Sequence, residues 1–91
     1  MSAPKIRMYC TSFCPYCIRA NRLLESKGVE FEKIDAGSAE VWQEMEMASN
    51  QSTVPQIFVG DLHLGGCDDI MALERDGKLD AILSGEVTTL V

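Results

Sequence analysis

The sequence predicts an α/β protein in which helices flank a four-stranded mixed sheet, in the order β-α-β-α-β-β-α. Short apolar runs suited to strands alternate with segments of helical periodicity, and a tight-turn signal separates the third and fourth strand candidates. A chain of 91 residues has room for one core, so these elements have to pack together. We therefore expect a single domain over residues 1–91, with residues 84–91 as a loose tail.

The first strand and the first helix have well-marked boundaries. Ile6 to Tyr9 is a short, partly apolar run. Pro15 marks a helix start because its fixed φ and missing N–H suit the first turn, and Gly28 stops the helix after about Lys27. The face expected to pack on the sheet consists of apolar residues at near-helical spacing, namely Ile18, Ala20, Leu23 and Leu24.

A second strand and a second helix follow. Phe31 to Ile34 alternates apolar with charged residues, and a strand reached through a helix should pair with the first strand in parallel. Ser38 is placed to cap the next helix, which ends in the polar stretch 49–52. The apolar positions of that helix are Val41, Trp42, Met45 and Ala48.

A β-hairpin comes next in the chain. Two apolar runs, Ile57 to Val59 and Leu62 to Leu64, flank the turn at Gly60-Asp61. Gly65-Gly66 then ends the fourth strand. This hairpin completes the predicted sheet.

The last predicted elements are helical. A third helix begins at about Asp68 and stops near Gly77, with Ile70, Met71 and Leu73 as its apolar residues. Leu79 to Leu83 adds a short turn or helix.

Charge and hydropathy exclude several classes of protein. The net charge of −6 argues against nucleic acid and anionic membranes as partners. No apolar run approaches the roughly 18 residues of a membrane-spanning helix. The N-terminus lacks the organisation of a secretory signal, since Arg7 interrupts the first hydrophobic stretch. We expect a soluble, cytoplasmic protein.

The four cysteines leave three interpretations open: two structural disulfides, a four-thiolate metal site, or a redox pair with two other thiols. Three of the four fall within eight residues, whereas a framework of structural disulfides would be spread along the chain. The clustering therefore favours redox or metal chemistry in a reducing compartment. The residues concerned are Cys10, Cys14, Cys17 and Cys67.

Cys14 and Cys17 have the spacing of a catalytic pair. Residues three apart on a helix share a face, so the two sulfurs can meet without a change of fold. Cys14 precedes the helix, where unpaired backbone N–H groups favour a thiolate, and we assign it as nucleophile. Cys17 should stay a thiol until it attacks a mixed disulfide at Cys14. A zinc site is the minor alternative, because Pro-Tyr at a helix start is unusual between zinc ligands.

At this point the sequence resembles the glutaredoxin family. The resemblance covers residues 6–83 and implies a thioredoxin fold. It also implies reduction of protein disulfides and glutathione mixed disulfides, with glutathione as co-substrate, no metal and a monomeric state. Four segments carry it: Cys14-Pro15-Tyr16-Cys17, Thr53-Val54-Pro55-Gln56-Ile57-Phe58, Gly65-Gly66-Cys67-Asp68-Asp69, and Leu79 to Leu83.

The resemblance assigns glutathione-binding roles around the second segment. It implies a cis bond between Val54 and Pro55, and Val54 would then pair its backbone N–H and C=O with the cysteinyl unit of glutathione. Thr53 belongs to the same binding segment. Tyr16 would flank the glutathione sulfur, unless it is simply an exposed aromatic at a helix start. A plain turn proline before a strand is the alternative for Pro55.

The third segment would hold the other end of glutathione. By resemblance, Gly66, Cys67 and Asp68 bind the γ-glutamyl unit, with the Asp68 carboxylate facing its ammonium group. Asp68 and Asp69 also fit a role as acidic residues in the first turn of a helix. Cys67 and Cys10 are expected to be packed, weakly reactive thiols.

The sequence departs from the family at two positions that often help to bind glutathione. A lysine is common three residues before the first active cysteine, where this chain has Thr11. The helix position that often binds the glycine carboxylate falls near Trp42 and Gln43. Backbone N–H groups are thus expected to be the main attraction for the anion. His63, the only histidine, is interpreted as an exposed edge residue and not as a base.

Two other functions stay open. An iron-sulfur carrier would bridge a cluster between two subunits through Cys14 and glutathione, and Pro15 argues against it because cluster-binding relatives usually have a smaller or more flexible residue there. A reductase fed by a flavoprotein is disfavoured by Tyr16 and Gly65-Gly66.

Overall fold

The computed structural model describes residues 4–89 and confirms the predicted order of strands and helices. Within that range, no helix is both long enough and apolar enough to cross a bilayer. The eight elements are β1 (Ile6–Cys10), α1 (Pro15–Ser26), β2 (Glu32–Asp35), α2 (Ala39–Ser49), β3 (Gln56–Val59), β4 (Leu62–Gly65), α3 (Cys67–Arg75) and α4 (Leu79–Leu83).

The strands form one mixed sheet in the order β2-β1-β3-β4. β1 and β2 are parallel, as a right-handed β-α-β connection requires, while β3 runs antiparallel to both β1 and β4. Tyr9 is the register partner of Gln56. The end of β1 therefore lies beside the beginning of β3, which brings the loop before α1 next to the segment before β3.

Apolar side chains cover both faces of the sheet. A large cluster on one face joins the sheet to α1, α3 and α4, and a smaller one joins the other face to α2. Burying these side chains is the main source of stability for a domain of this size. The large cluster includes Met8, Ala20, Leu24, Ile57, Ile70 and Leu79, and the small one consists of Tyr9, Ala36, Met45 and Phe58.

The packed face of α1 differs from the prediction at one position. Cys17, Ala20 and Leu24 are buried at helical spacing, and Leu23 packs partly against them. Ile18, predicted to belong to this face, is 50% exposed. The reason is geometric: Ile18 lies about 100° around the helix from Cys17, beyond the edge of the stripe that Cys17 begins.

Smaller differences concern the ends of elements. β2 is shifted by one residue relative to Phe31–Ile34, and α3 begins at Cys67 instead of Asp68 because Gly66 is the N-cap. The predicted loose tail falls partly on Leu90 and Val91, which lie outside the described residues. Residues 85–89 have no regular secondary structure, although the N–H groups of Glu86 and Val87 both donate to the Ala81 carbonyl.

His63 is not the exposed residue that the sequence predicted. It lies on β4, an edge strand, but its ring is half-buried and packs against Phe58 on the neighbouring strand. The ring centroids are 4.8 Å apart, with an interplanar angle of 32°. An edge strand still has one face turned to the protein, and His63 points to that face beside Phe58, its register partner.

Candidate active site

Cys14 occupies the N-cap of α1, between the end of β1 and the first helical turn. Its backbone is extended, with φ −101° and ψ 109°, and Pro15 follows as the first helical residue. The Cys17 N–H donates to the Cys14 Sγ at 3.3 Å, and the Ile18 N–H donates to the Cys14 carbonyl at 3.0 Å. The sulfur is therefore a hydrogen-bond acceptor at the positive end of the helix dipole.

Cys17 has a different environment although it is only one turn away. Its side chain is 5% exposed. Burial, followed by the hydrogen bond to Cys14, raises the pKa of Cys17 to about 12. At neutral pH Cys17 is a neutral thiol, so the two sulfurs of the pair are suited to different steps.

The surroundings of the remaining two thiols favour the protonated form. Burial raises the pKa of Cys10, which lies half-buried at the end of β1. It also raises the pKa of Cys67, which belongs to the large apolar cluster. In the described part of the chain, no group of three or more His, Cys, Asp or Glu residues is arranged to hold a metal ion.

A groove of about 270 Å³ lies beside Cys14. Cys14 borders it, since its Sγ lies 4.0 Å from the Val54 carbonyl oxygen. All of the residues that the resemblance assigns to glutathione binding lie along this groove, together with Gln51 and Asp69. The lining residues are Tyr16, Gln51, Thr53, Val54, Pro55, Gly66, Cys67, Asp68 and Asp69.

The two walls of the groove approach each other at a proline and a glycine. The bond between Val54 and Pro55 is cis, as the resemblance implied. A Cβ atom on Gly66 would lie 3.1 Å from the Pro55 carbonyl oxygen, so only glycine fits comfortably at this contact. The start of α3 thus lies directly against the segment before β3.

The acidic residues of α3 have separate positions. The Gly66 N–H donates to the Asp69 carboxylate at 2.9 Å, so Asp69 caps the helix from its own first turn. Asp68 is exposed and lines the groove. Both residues lie in the first turn of α3, as the sequence predicted, and Asp69 in addition caps the helix.

Sequence reasoning missed Gln51 and Phe13. Gln51 precedes Thr53 in a stretch that the sequence marked only as a helix end, and its place in the groove depends on the path of the loop before β3. Phe13 is next to Cys14 in the chain, is 98% exposed, and has a left-handed backbone with φ +60°. A tight turn before α1 requires that conformation, and no pattern in the sequence indicated it.

The family model named Glutaredoxin matches residues 6–64. The chain belongs to the glutaredoxin family. Glutaredoxins are thiol–disulfide oxidoreductases that use glutathione, and that class of activity agrees with a cysteine at a helix N-terminus beside a second, protonated cysteine.

Individual relatives extend the match over most of the chain. This glutaredoxin is 52% identical over 82 residues to a glutaredoxin of Pseudomonas aeruginosa, covering 89% of this chain and 98% of the relative. The solution structure of glutaredoxin from Brucella melitensis is 46% identical, with a TM-score of 0.85 and 98% of each chain covered. A crystal structure of a buckwheat glutaredoxin–glutathione complex is 29% identical, with a TM-score of 0.81, and covers 90% of this chain and 78% of its own. These structures share the thioredoxin fold.

Proposed function

We propose that this glutaredoxin reduces protein disulfides and glutathione mixed disulfides, with glutathione as electron donor. The observation that carries the proposal is the position of the Cys14 sulfur, at the N-terminus of α1 and 4.0 Å from the Val54 carbonyl, where the groove opens. A disulfide bound along the groove would present a sulfur to Cys14. The buckwheat relative crystallised with glutathione supports the same choice of ligand.

The groove offers groups that suit a short, extended peptide. Val54 presents a backbone N–H and C=O, which would pair with the cysteinyl unit as an added strand does. The Asp68 carboxylate would face the ammonium group of the γ-glutamyl unit, while N–H groups at the start of α3 would bind its carboxylate. Tyr16, 53% exposed at the groove, would flank the sulfur.

Lysine and arginine are absent from the residues that line this groove, and two of the lining residues are acidic. Anionic glutathione would therefore be held mainly by backbone N–H groups and by its own ammonium group. Hydrogen bonds from backbone N–H groups weaken less with added salt than pairs of exposed charges do, and Asp68 with the ammonium group is the single such pair in this proposal. We accordingly expect binding to depend only weakly on ionic strength.

The reduction of a glutathione mixed disulfide needs Cys14 alone. The Cys14 thiolate attacks the glutathione sulfur, the bond to the target sulfur breaks, and the target leaves as a thiolate that takes a proton from water. A second glutathione thiolate then attacks the mixed disulfide at Cys14. Oxidised glutathione leaves, and the Cys14 thiolate is restored.

Reduction of a protein disulfide uses both cysteines. Cys14 forms a mixed disulfide with the target, and Cys17 attacks Cys14, which releases the target dithiol and leaves a disulfide between Cys14 and Cys17. Two glutathione molecules reduce that disulfide and become oxidised glutathione. Burial contributes most to the raised pKa of Cys17, and the charge of Cys14 adds to it. A mixed disulfide at Cys14 would carry no charge, so Cys17 would lose its proton more readily at the step in which it attacks.

Three cysteine variants test the proposal. Cys14→Ser should abolish reduction of a glutathione mixed disulfide, whereas Cys17→Ser should keep it and lose reduction of a protein disulfide. Cys10→Ser is the matched control and should keep both activities, because Cys10 lies outside the groove. Iodoacetamide at pH 7 should label Cys14 well before Cys17, which is buried and protonated. Activity retained by Cys14→Ser would refute the mechanism.

We place the protein in the cytoplasm as a monomer that acts on disulfide-containing or glutathionylated proteins, with no metal. The alternative of an iron-sulfur carrier predicts a visible charge-transfer spectrum after anaerobic reconstitution with iron, sulfide and glutathione. A reductase fed by a flavoprotein predicts turnover with that donor and none with glutathione.

A further inference from the structure

A buried polar side chain lies directly behind the groove. Gln56, the first residue of β3, is fully buried and follows Pro55 in the chain. Its Nε2 donates to the Thr53 carbonyl at 3.0 Å, to the Thr53 Oγ1 at 3.2 Å and to the Gln51 Oε1 at 3.1 Å. Its Oε1 lies 2.6 Å from the His63 Nε2. Gln56 thus connects two groove residues to the edge strand of the sheet.

The partners determine the direction of these hydrogen bonds. The Thr53 carbonyl and the Gln51 Oε1 only accept, so the amide nitrogen of Gln56 has to face them and its oxygen has to face His63. An amide oxygen only accepts as well, which means that the His63 Nε2 carries a proton and donates it. The chain of donors runs from His63 through Gln56 to Thr53.

His63 is itself held in place. Its ring packs on Phe58, whose own ring makes an edge contact with Tyr9 at 5.9 Å and lies 5.1 Å from the Arg7 guanidinium carbon. Burial lowers the pKa of His63, and the charge of Asp69 offsets this in part. The ring is therefore neutral at pH 7 and has one proton, on Nε2. The ring that donates to Gln56 is thus packed against a neighbouring ring.

We propose that His63 and Gln56 are positioning residues that hold the Thr53-Val54 backbone and the Gln51 side chain in the geometry that binds glutathione. This inference rests on the function proposed above. Groups that bind a flexible peptide give more affinity when they are fixed before the ligand arrives, because less conformational entropy is lost on binding. Neither residue is among those that line the groove.

Substitutions at His63 separate the hydrogen bond from the ring packing. His63→Phe keeps a ring against Phe58 and removes the donor, while His63→Gln restores an N–H at similar reach and removes the ring. Losing one hydrogen bond of ordinary net strength corresponds to roughly a 3- to 10-fold effect. We expect His63→Phe to raise the KM for a glutathione mixed disulfide by that factor, with kcat and the alkylation rate of Cys14 unchanged. His63→Gln should return KM to within about twofold of the original value.

The outcomes separate this inference from the proposed function. An original protein inactive with glutathione would refute the function itself. If the unsubstituted protein is active, two results would overturn the positioning role alone. One is an unaltered KM in His63→Phe, and the other is an equal rise of KM in His63→Phe and His63→Gln. A measurement on the unsubstituted protein covers the case in which a variant fails to fold. The ¹⁵N spectrum of His63 at pH 7.5 should show the neutral Nε2–H tautomer, and the Nδ1–H tautomer would contradict the chain of donors.

Discussion

At the scale of single residues, the difference between Cys14 and Cys17 comes from one turn of helix. Cys14 is an N-cap whose sulfur accepts a backbone N–H, and Cys17 is buried in the turn that follows. The two sulfurs of one helical turn therefore differ in environment, since burial disfavours charge on Cys17 while Cys14 accepts a backbone hydrogen bond. Two residues of one type can take opposite roles in a redox cycle for this reason.

Gly65 is a second residue at which local geometry decides what fits. Its φ is +108°, and a Cβ atom there would overlap the Asp69 carboxylate that caps α3. We expect Gly65→Ala to lower the free energy of unfolding by about 3 kcal/mol, since it adds this overlap to an unfavourable backbone. Urea denaturation measures the loss.

Gly60→Ala is the matched control for that substitution. Gly60 has φ +60°, but nothing lies within 4 Å of a Cβ built on it. Gly60→Ala should then lower the free energy of unfolding by only about 1 kcal/mol, the cost of a left-handed backbone at alanine. Equal losses in the two variants would show that contact with Asp69 contributes nothing.

At the scale of elements, α2 shows how a helix is limited at both ends. Ser38 caps its beginning, because the Ser38 Oγ accepts the Val41 N–H at 3.2 Å. Asn50 ends it in a left-handed conformation, and its N–H donates to the Glu46 carbonyl. Between these ends, Met45 packs α2 on the sheet.

The N-cap of α2 gives a prediction for this element. Ser38→Ala should lower the free energy of unfolding by about 1 kcal/mol, because the Val41 N–H loses its acceptor. Ser38→Asp keeps an acceptor and adds a negative charge at the helix N-terminus, so it should be neutral or slightly stabilising. Urea denaturation followed by circular dichroism compares the two. A similar loss in both variants would contradict a capping role.

At the scale of the whole molecule, Lys27 connects three helices. It follows α1 in the chain, and its Nζ lies 2.6 Å from a Glu74 carboxylate oxygen on α3 and 3.0 Å from one of Asp80 on α4. The hydrogen bonds to these two carboxylates raise the pKa of Lys27 above its ordinary value of 10.5. Segments distant in sequence are thereby joined at the end of the molecule away from Cys14.

This linkage predicts a pH dependence. Because its folded pKa is raised, Lys27 stabilises the fold fully below pH 10.5 and loses that effect as pH rises through the folded pKa. At pH 7, Lys27→Met should therefore unfold at a lower urea concentration than the original protein. The difference between their urea midpoints should shrink above pH 10.5.

Lys33→Met is the control, since it removes an exposed cation from β2. It should change the urea midpoint little at either pH. The urea midpoints of Lys27→Met and the original protein could instead differ by the same amount at neutral and at strongly alkaline pH. That result would mean that packing of the lysine stem, and not its charge, stabilises the helices.

Much of the candidate site was predictable because its signals are local. The spacing of Cys14 and Cys17, the helix start at Pro15 and the glycine pair before α3 each act over a few residues. The resemblance added the cis bond before Pro55. Ile18 was assigned to the wrong face because the width of a buried stripe depends on what packs against it.

The sequence by itself determined the order of the elements, the placing of Cys14 and Cys17 on one helical turn, and the family. Propensity, capping and helical spacing operate between near neighbours in the chain. Only the tertiary structure decided that Gln51 lines the groove, that His63 donates to Gln56 and that Lys27 meets Glu74 and Asp80. These contacts join residues on different elements. They follow from the register of the sheet and from helix packing, which no short stretch of sequence specifies.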